Sequence, residues 1–206
     1  FMDGGKPDPS WRSDNEGPLL HDFCHYFDLM DLYAGGIDWL CGMVEQRTRP
    51  WPVEDFSAVF MKFKSGATGV INCSEITNYE NHSFTLTGSE GVICMDGEQV
   101  RLFRSDPADV EADSGFEWRN LAEVEVERPA PNSTYTTALD ELLDALEDKC
   151  ELRSDGRVGR RSLEMIMAVY QSQLEGNRPV SFPITMTGSG VQMLRDAGIF
   201  TDKIKR

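Results

Sequence analysis

The feature that most constrains the fold is a series of short alternating segments, joined by turns too short to hold a crossover. Residues 56–63 alternate apolar and polar positions, and a Lys-Ser-Gly turn leads into a returning segment over 67–76. Because parallel strands need long connections, short turns predict antiparallel pairing. Further segments of this kind cover residues 83–87, 92–95, 99–103 and 121–127, with an Asp-Gly hairpin signal at 96–97.

Helical patterns lie on either side of these strands. Apolar residues recur every three or four positions over about 18–33, 134–148 and 157–174, and a short strand over 180–182 follows. Strands that are segregated from helices favour an α+β fold over a doubly wound α/β fold. We therefore expect a lead-in loop over residues 1–17 and a single domain over 18–206, in which helices pack on one face of an open, mostly antiparallel sheet.

Composition excludes several classes of function. The chain has 35 acidic against 20 basic side chains and a net charge of −15, which disfavours nucleic acid and anionic membranes as partners. No apolar run approaches the roughly 18 residues of a transmembrane helix. The five cysteines are odd in number and none forms a CxxC pair, which favours reduced thiols and a cytoplasmic protein.

The residues with the most chemical potential lie in the first helix. If that helix is continuous, His21, His25 and Asp28 share one face within an arc of roughly 60°. The cluster has three interpretations: a structural pair without chemistry, an acid/base pair, or a metal site. His-Asp-Phe-Cys-His is close to the H-E-x-x-H motif of zinc hydrolases, but no third ligand follows, since His82 lies on a predicted strand.

A family resemblance favours the acid/base interpretation. The segment from Trp11 to Asp28 resembles the start of the C-terminal domain in the glucose–fructose oxidoreductase / inositol dehydrogenase (Gfo/Idh/MocA) family. That family has a Trp-Arg pair, a Gly-rich segment, a polar residue four positions before a His, and an Asp three positions after it. Here the His is His25, and His21 stands where the family often has Asp. The stretch from Arg161 through Ser172, followed by 176–180, is similar to the family's closing helix and its ending.

The resemblance implies a fold like the C-terminal domain of dihydrodipicolinate reductase, without a Rossmann domain. It also implies a whole enzyme that passes a hydride between NAD or NADP and a sugar, cyclitol or related polyol. His25 is then a proton donor or acceptor, and His21 holds the substrate or orients His25. Asp28 contacts the substrate, and Trp11 and Arg12 either line the pocket or anchor the lead-in loop.

The nucleotide-binding half is not found in this sequence. A dinucleotide site needs a Gly-rich turn between a strand and a helix, and the Gly-Ser-Gly at 188–190 lacks the third glycine. We therefore expect this chain to bind no cofactor and to be inactive without an N-terminal Rossmann domain. The resemblance also implies a homodimer or tetramer formed through the sheet. The alternatives are a zinc hydrolase using His21 and His25, and a non-catalytic dimerisation or ligand-binding module.

Overall fold

The computed structural model describes residues 17–48, 51–76, 79, 82–97, 99–110, 119–127 and 134–201. The chain divides into two compact units, one formed by Phe1–Asn78 with Glu151–Arg206 and the other by Tyr79–Cys150. Helices in the described residues are α1 Pro18–His21, α2 Cys24–Ala34, α3 Thr134–Leu146, α4 Gly156–Leu174 and α5 Gly190–Asp196. Strands are β1 Ile37–Glu45, β2 Phe56–Phe63, β3 Thr68–Ser74, β4 Ser83–Thr87, β5 Gly91–Asp96, β6 Gln99–Val110, β7 Arg119–Val124 and β8 Val180–Ser181.

The strands form two four-stranded sheets, one in each unit. The first sheet has the order β3-β2-β1-β8 and the second the order β4-β5-β6-β7, and every neighbouring pair is antiparallel. The predicted α+β fold with antiparallel strands is confirmed, and its strands are divided between two sheets. No helix in the described part of the chain is long and apolar enough to cross a bilayer.

The first unit has a continuous apolar core between its sheet and its helices. One face of β2 buries Val59, Met61 and Phe63, and the inner face of α4 buries Ile166 and Tyr170 against the same cluster. Burial of this kind contributes about 25 cal/mol for each Å² of apolar surface removed from water. The helices α1 and α2 join this core through three large apolar side chains: Leu19, Phe23 and Phe27.

A buried serine fixes the closing helix to the sheet. The Gly42 amide of β1 donates a hydrogen bond to Ser172 Oγ at 3.0 Å, and the Ser172 hydroxyl donates to the Arg178 carbonyl at 2.7 Å. The Val44 amide donates to Gln173 Oε1 at 2.9 Å. Because β8 has only two residues, α4 side chains satisfy the β1 amides that β8 does not reach. Ser172, near the end of α4, therefore has a structural role.

Five apolar positions on two of the predicted helices are not buried. Leu163 on α4 is 49% exposed, although its helical spacing predicts a core position. The stripe of α3 is exposed along its length, since Leu139, Leu142, Leu143 and Leu146 each keep between 42% and 73% of their surface. Helical periodicity therefore predicts both helices correctly, but it does not show which apolar positions have a covering layer.

Candidate functional site

The helix that carries the histidines is interrupted between them. The Asp22 and Phe23 amides both donate to the Pro18 carbonyl, at 2.9 and 3.0 Å, so the second bond spans five residues. The Tyr26 amide then donates to the Phe23 carbonyl at 3.0 Å, where α2 begins. A five-residue bond widens the turn, and such turns are frequent at functional sites. The prediction of one helix over 18–33 is therefore wrong at this point, and so is the arc calculated for a continuous helix.

The widened turn brings His21 and Asp22 together. His21 Nδ1 lies 2.8 Å from Asp22 Oδ1, and the two side chains are 26% and 16% exposed. Adjacent residues of a regular helix do not face each other, so the sequence analysis did not pair them. A carboxylate beside Nδ1 restricts the orientation of the imidazole. Asp22 is therefore a functional candidate that the sequence pattern missed.

The other predicted site residues occupy less enclosed positions. His25 is exposed near the start of α2, and Asp28 is half-buried one turn further along the same helix. The four residues from His25 to Asp28 therefore lie on regular helix. Trp11 and Arg12 lie outside the described residues, and their predicted roles remain proposals.

The groups that flank the histidines are poor nucleophiles. Burial raises the pKa of the Cys24 thiol, which donates a hydrogen bond to the His21 carbonyl at 3.5 Å. Burial likewise raises the pKa of the Tyr26 phenol, whose ring centroid lies 5.8 Å from that of Phe23. Both groups keep their protons at neutral pH, so neither is available there as an anionic nucleophile.

A buried carboxylate lies beneath the first turn. Glu54, in the connection between β1 and β2, is 1% exposed. Its Oε1 accepts hydrogen bonds from the Leu19 amide at 3.1 Å and from the Tyr170 hydroxyl at 2.9 Å. Burial raises the pKa of Glu54 to about 7, because the charged form loses its hydration. Its Oε2 has no hydrogen-bond partner among the described residues.

An ion pair fixes the far end of α2. Arg161 Nε on α4 donates to Asp31 Oδ2 at 2.9 Å, and Asp31 is 9% exposed while Arg161 is 51% exposed. A buried carboxylate needs a partner of this kind, because desolvation of an unpaired charge is costly. The helix that presents His25 is therefore held to α4 at its end as well as through its buried apolar stripe.

The described residues do not form a metal centre or a nucleotide cradle. No group of three His, Cys, Asp or Glu side chains within the described ranges lies close enough together to hold a metal ion. The widened turn also removes the helical spacing that H-E-x-x-H requires. The Gly-Ser-Gly at 188–190 leads into the short helix α5, and Gly190 packs closely against the buried ring of Tyr170.

Comparison with known proteins shows which proteins this chain is similar to. Residues 1–94 match the family described as the GFO/IDH/MocA C-terminal domain. No curated protein matches the chain.

Solved structures of similar fold include two WlbA dehydrogenases, each in complex with NADH and UDP-GlcNAcA. The one from Bordetella pertussis is 22% identical, with a TM-score of 0.64 over 85% of this chain and 49% of its own. The one from Chromobacterium violaceum is 25% identical, with a TM-score of 0.66 over 86% and 50%. Levoglucosan dehydrogenase in complex with NADH and L-sorbose is 15% identical, with a TM-score of 0.68 over 89% and 56%.

The chain thus spans about half the length of these solved structures. The sequence match includes the segment with His21 and His25, and the structural matches cover 85–89% of this chain. The resemblance that the sequence predicts is confirmed: this chain has the C-terminal domain fold of the GFO/IDH/MocA oxidoreductases.

Proposed function

We propose that this chain is the substrate-binding and oligomerisation part of an NAD(P)-dependent oxidoreductase that acts on a sugar, a cyclitol or a related polyol. The observation that carries the proposal is the His21–Asp22 contact at 2.8 Å, four residues before the exposed His25, within this family's fold. Solved proteins of the same fold hold a sugar nucleotide or a ketose together with NADH, which supports the substrate class.

His25 is the proton acceptor for the reacting hydroxyl in the direction of oxidation, and the proton donor in reduction. Imidazole is the side chain best able to exchange a proton near neutral pH, and His25 is accessible to a substrate. His21, oriented by Asp22, binds a neighbouring hydroxyl or orients His25. Asp28, Trp11 and Arg12 complete the substrate contacts in this proposal.

The cofactor is bound elsewhere in the whole protein. NAD or NADP accepts the hydride when it is bound, and the described residues of this chain offer no cradle for it, so we propose an N-terminal Rossmann domain as the partner that supplies one. The chain alone is then inactive. We also propose a cytoplasmic location, where all five cysteines stay reduced, as they are here.

Turnover by the whole protein tests this proposal. We expect the protein expressed with its Rossmann domain to reduce NAD or NADP in the presence of at least one member of a panel of sugars, sugar nucleotides and cyclitols. We expect the 206-residue chain to give no turnover with the same panel. Turnover by the chain alone, or hydrolysis that depends on added zinc, would overturn the assignment.

The second sheet offers a surface for self-association. Strand register places eight apolar residues on one face, and Ile93, Val100 and Val124 are each 37–40% exposed. A contiguous apolar face of this size marks an interaction surface. We propose that it pairs with the same face of a second copy to form a homodimer or tetramer. The eight residues, called the apolar face below, are Phe84, Leu86, Ile93, Met95, Val100, Leu102, Ala122 and Val124.

A charge on the apolar face is expected to separate the copies. Ile93→Glu places a carboxylate at the centre of this face and should convert the oligomer to a monomer in multi-angle light scattering, because burying an unpaired charge is costly. Thr85→Glu is the matched control, since Thr85 is exposed on the opposite face of the same sheet. A wild-type monomer, or an Ile93→Glu oligomer of unchanged mass, would contradict the proposed pairing.

A further inference from the structure

The amide of Leu19 depends on a distant side chain for its hydrogen bond. In α1, Pro18 has no N–H, and the Leu20 and His21 amides donate to the Gly17 carbonyl at 3.1 and 3.2 Å. The Leu19 amide instead donates to Glu54 Oε1 at 3.1 Å, across 35 positions of sequence. Glu54 therefore completes the hydrogen bonding of the first turn, as a capping residue does at a longer helix.

Glu54 is held on its other side by α4. Tyr170, fully buried on that helix, donates its hydroxyl to the same Oε1 at 2.9 Å. Gly17 fits closely against the carboxyl group, since a Cβ at this position would lie 2.2 Å from Glu54 Cδ. The carboxyl group thus occupies a space bounded by the first turn and by Tyr170, and neither neighbour can move toward it.

The same turn determines where His21 and Asp22 lie. The Pro18 carbonyl accepts both the Asp22 and the Phe23 amides, which forms the widened turn, and Pro18 directly precedes the residue that Glu54 holds. We propose that Glu54 is a positioning residue: it fixes the first turn of α1 against α4 and thereby sets the His21–Asp22 contact used in substrate binding. The inference rests on the proposed function for the role of His21, but its test does not require activity.

Three histidines make the test simple to observe. In protein labelled with ¹³C-histidine, the imidazole region should contain signals from His21, His25 and His82 alone. Glu54→Leu keeps the bulk of the side chain and removes the acceptor, so the His21 signal is expected to move. Glu54→Gln keeps an amide oxygen that accepts from Leu19 and Tyr170, so it should restore the wild-type position of that signal. His82 lies in the other unit and should not move.

A core variant separates positioning from general loss of stability. Val44→Ala removes buried volume from the same unit, and Val44 is 1% exposed, so it should lower the Tm without moving the His21 signal. If Glu54→Leu does not fold, Glu54→Asp replaces it, because the shorter side chain withdraws the carboxylate from Leu19. Three results would overturn the inference. The His21 signal could stay unmoved in Glu54→Leu or its Glu54→Asp replacement, or it could move equally in Val44→Ala. A folded Glu54→Gln could also fail to restore the wild-type signal.

The enzyme assay distinguishes this inference from the proposed function. In the whole protein, Glu54→Leu is expected to lower kcat/KM by about tenfold or more, since small misplacements of a binding group can cost on the order of 10²-fold. Glu54→Gln should restore the rate. The whole protein could lack oxidoreductase activity while the His21 signal is still displaced in Glu54→Leu. That result would reject the proposed function and leave the positioning role of Glu54 intact.

Discussion

Alanine in place of His25 is expected to lower kcat of the whole enzyme by about 10²–10⁴-fold, the usual contribution of a general acid or base. The loss should appear equally in kcat and kcat/KM, because proton transfer occurs in the transition state and substrate binding does not depend on it. Steady-state rates of NAD(P)H formation measure both constants. Stability should change little, since His25 is exposed.

The matched control removes the third imidazole of the chain. His82→Ala lies outside the unit that carries the candidate site and should keep the wild-type kcat. A His25→Ala enzyme with wild-type kcat would remove His25 from the proton-transfer role. A higher KM at wild-type kcat would instead make His25 a substrate-binding residue.

The second large effect is the change in unfolding free energy with pH. The wild-type chain is expected to lose about 2.5 kcal/mol of unfolding free energy through Glu54 as pH rises from about 5 to about 8, and Glu54→Gln should remove that loss. Burial raises the pKa of Glu54 from 4.5 to about 7, and each pKa unit corresponds to about 1.4 kcal/mol. Since the folded pKa is the higher one, the stabilising proton is fully bound below pH 4.5 and is lost as pH rises through about 7.

Other titratable groups also lie close to Glu54. Those that face Glu54 are the Tyr170 phenol and, near the end of β3, Cys73 and Glu75. Burial raises the pKa of Cys73 to about 12, so the thiol stays protonated at pH 8. Chemical denaturation at pH 5 and pH 8 measures the unfolding free energies of wild type and Glu54→Gln. We expect the two values to be similar at pH 5 and to differ at pH 8.

A surface variant controls for loss of charge. Glu175→Gln removes an exposed carboxylate at the end of α4 and should follow the wild-type pH dependence. Parallel stability curves for wild type and Glu54→Gln across this pH range would contradict a buried, proton-holding Glu54. If the unfolding free energy of Glu54→Gln fell more steeply with rising pH than that of wild type, the sign of the effect would be contradicted.

Local sequence signals predict most of the fold because most of its connections are short. The hairpins around Gly66 and Gly97 fix antiparallel pairing, and both glycines have positive φ, as such turns require. The strand β1 carries no such signal. It lies between β2 and β8, and four of its nine residues are buried, so its pattern resembles that of any apolar segment. The division of the strands into two sheets likewise depends on tertiary packing, which no local sequence pattern predicts.

The candidate site is less predictable for the same reason. Spacing predicts His21 and His25, but it assumes regular helix, and the five-residue bond from Phe23 to Pro18 changes which side chains meet. Asp22 becomes the partner of His21 only in that widened turn. Glu54 lies 35 positions from Leu19, and its importance follows from a tertiary contact that a sequence pattern does not contain.

The coding DNA upstream of Phe1 tests the central claim most directly. Assignment to the substrate half of an oxidoreductase predicts an in-frame extension of roughly 120–150 residues that opens with a strand, a G-x-G-x-x-G turn and a helix. A start codon at Met2 with no open frame above it would contradict that assignment and leave a binding or dimerisation module as the better account.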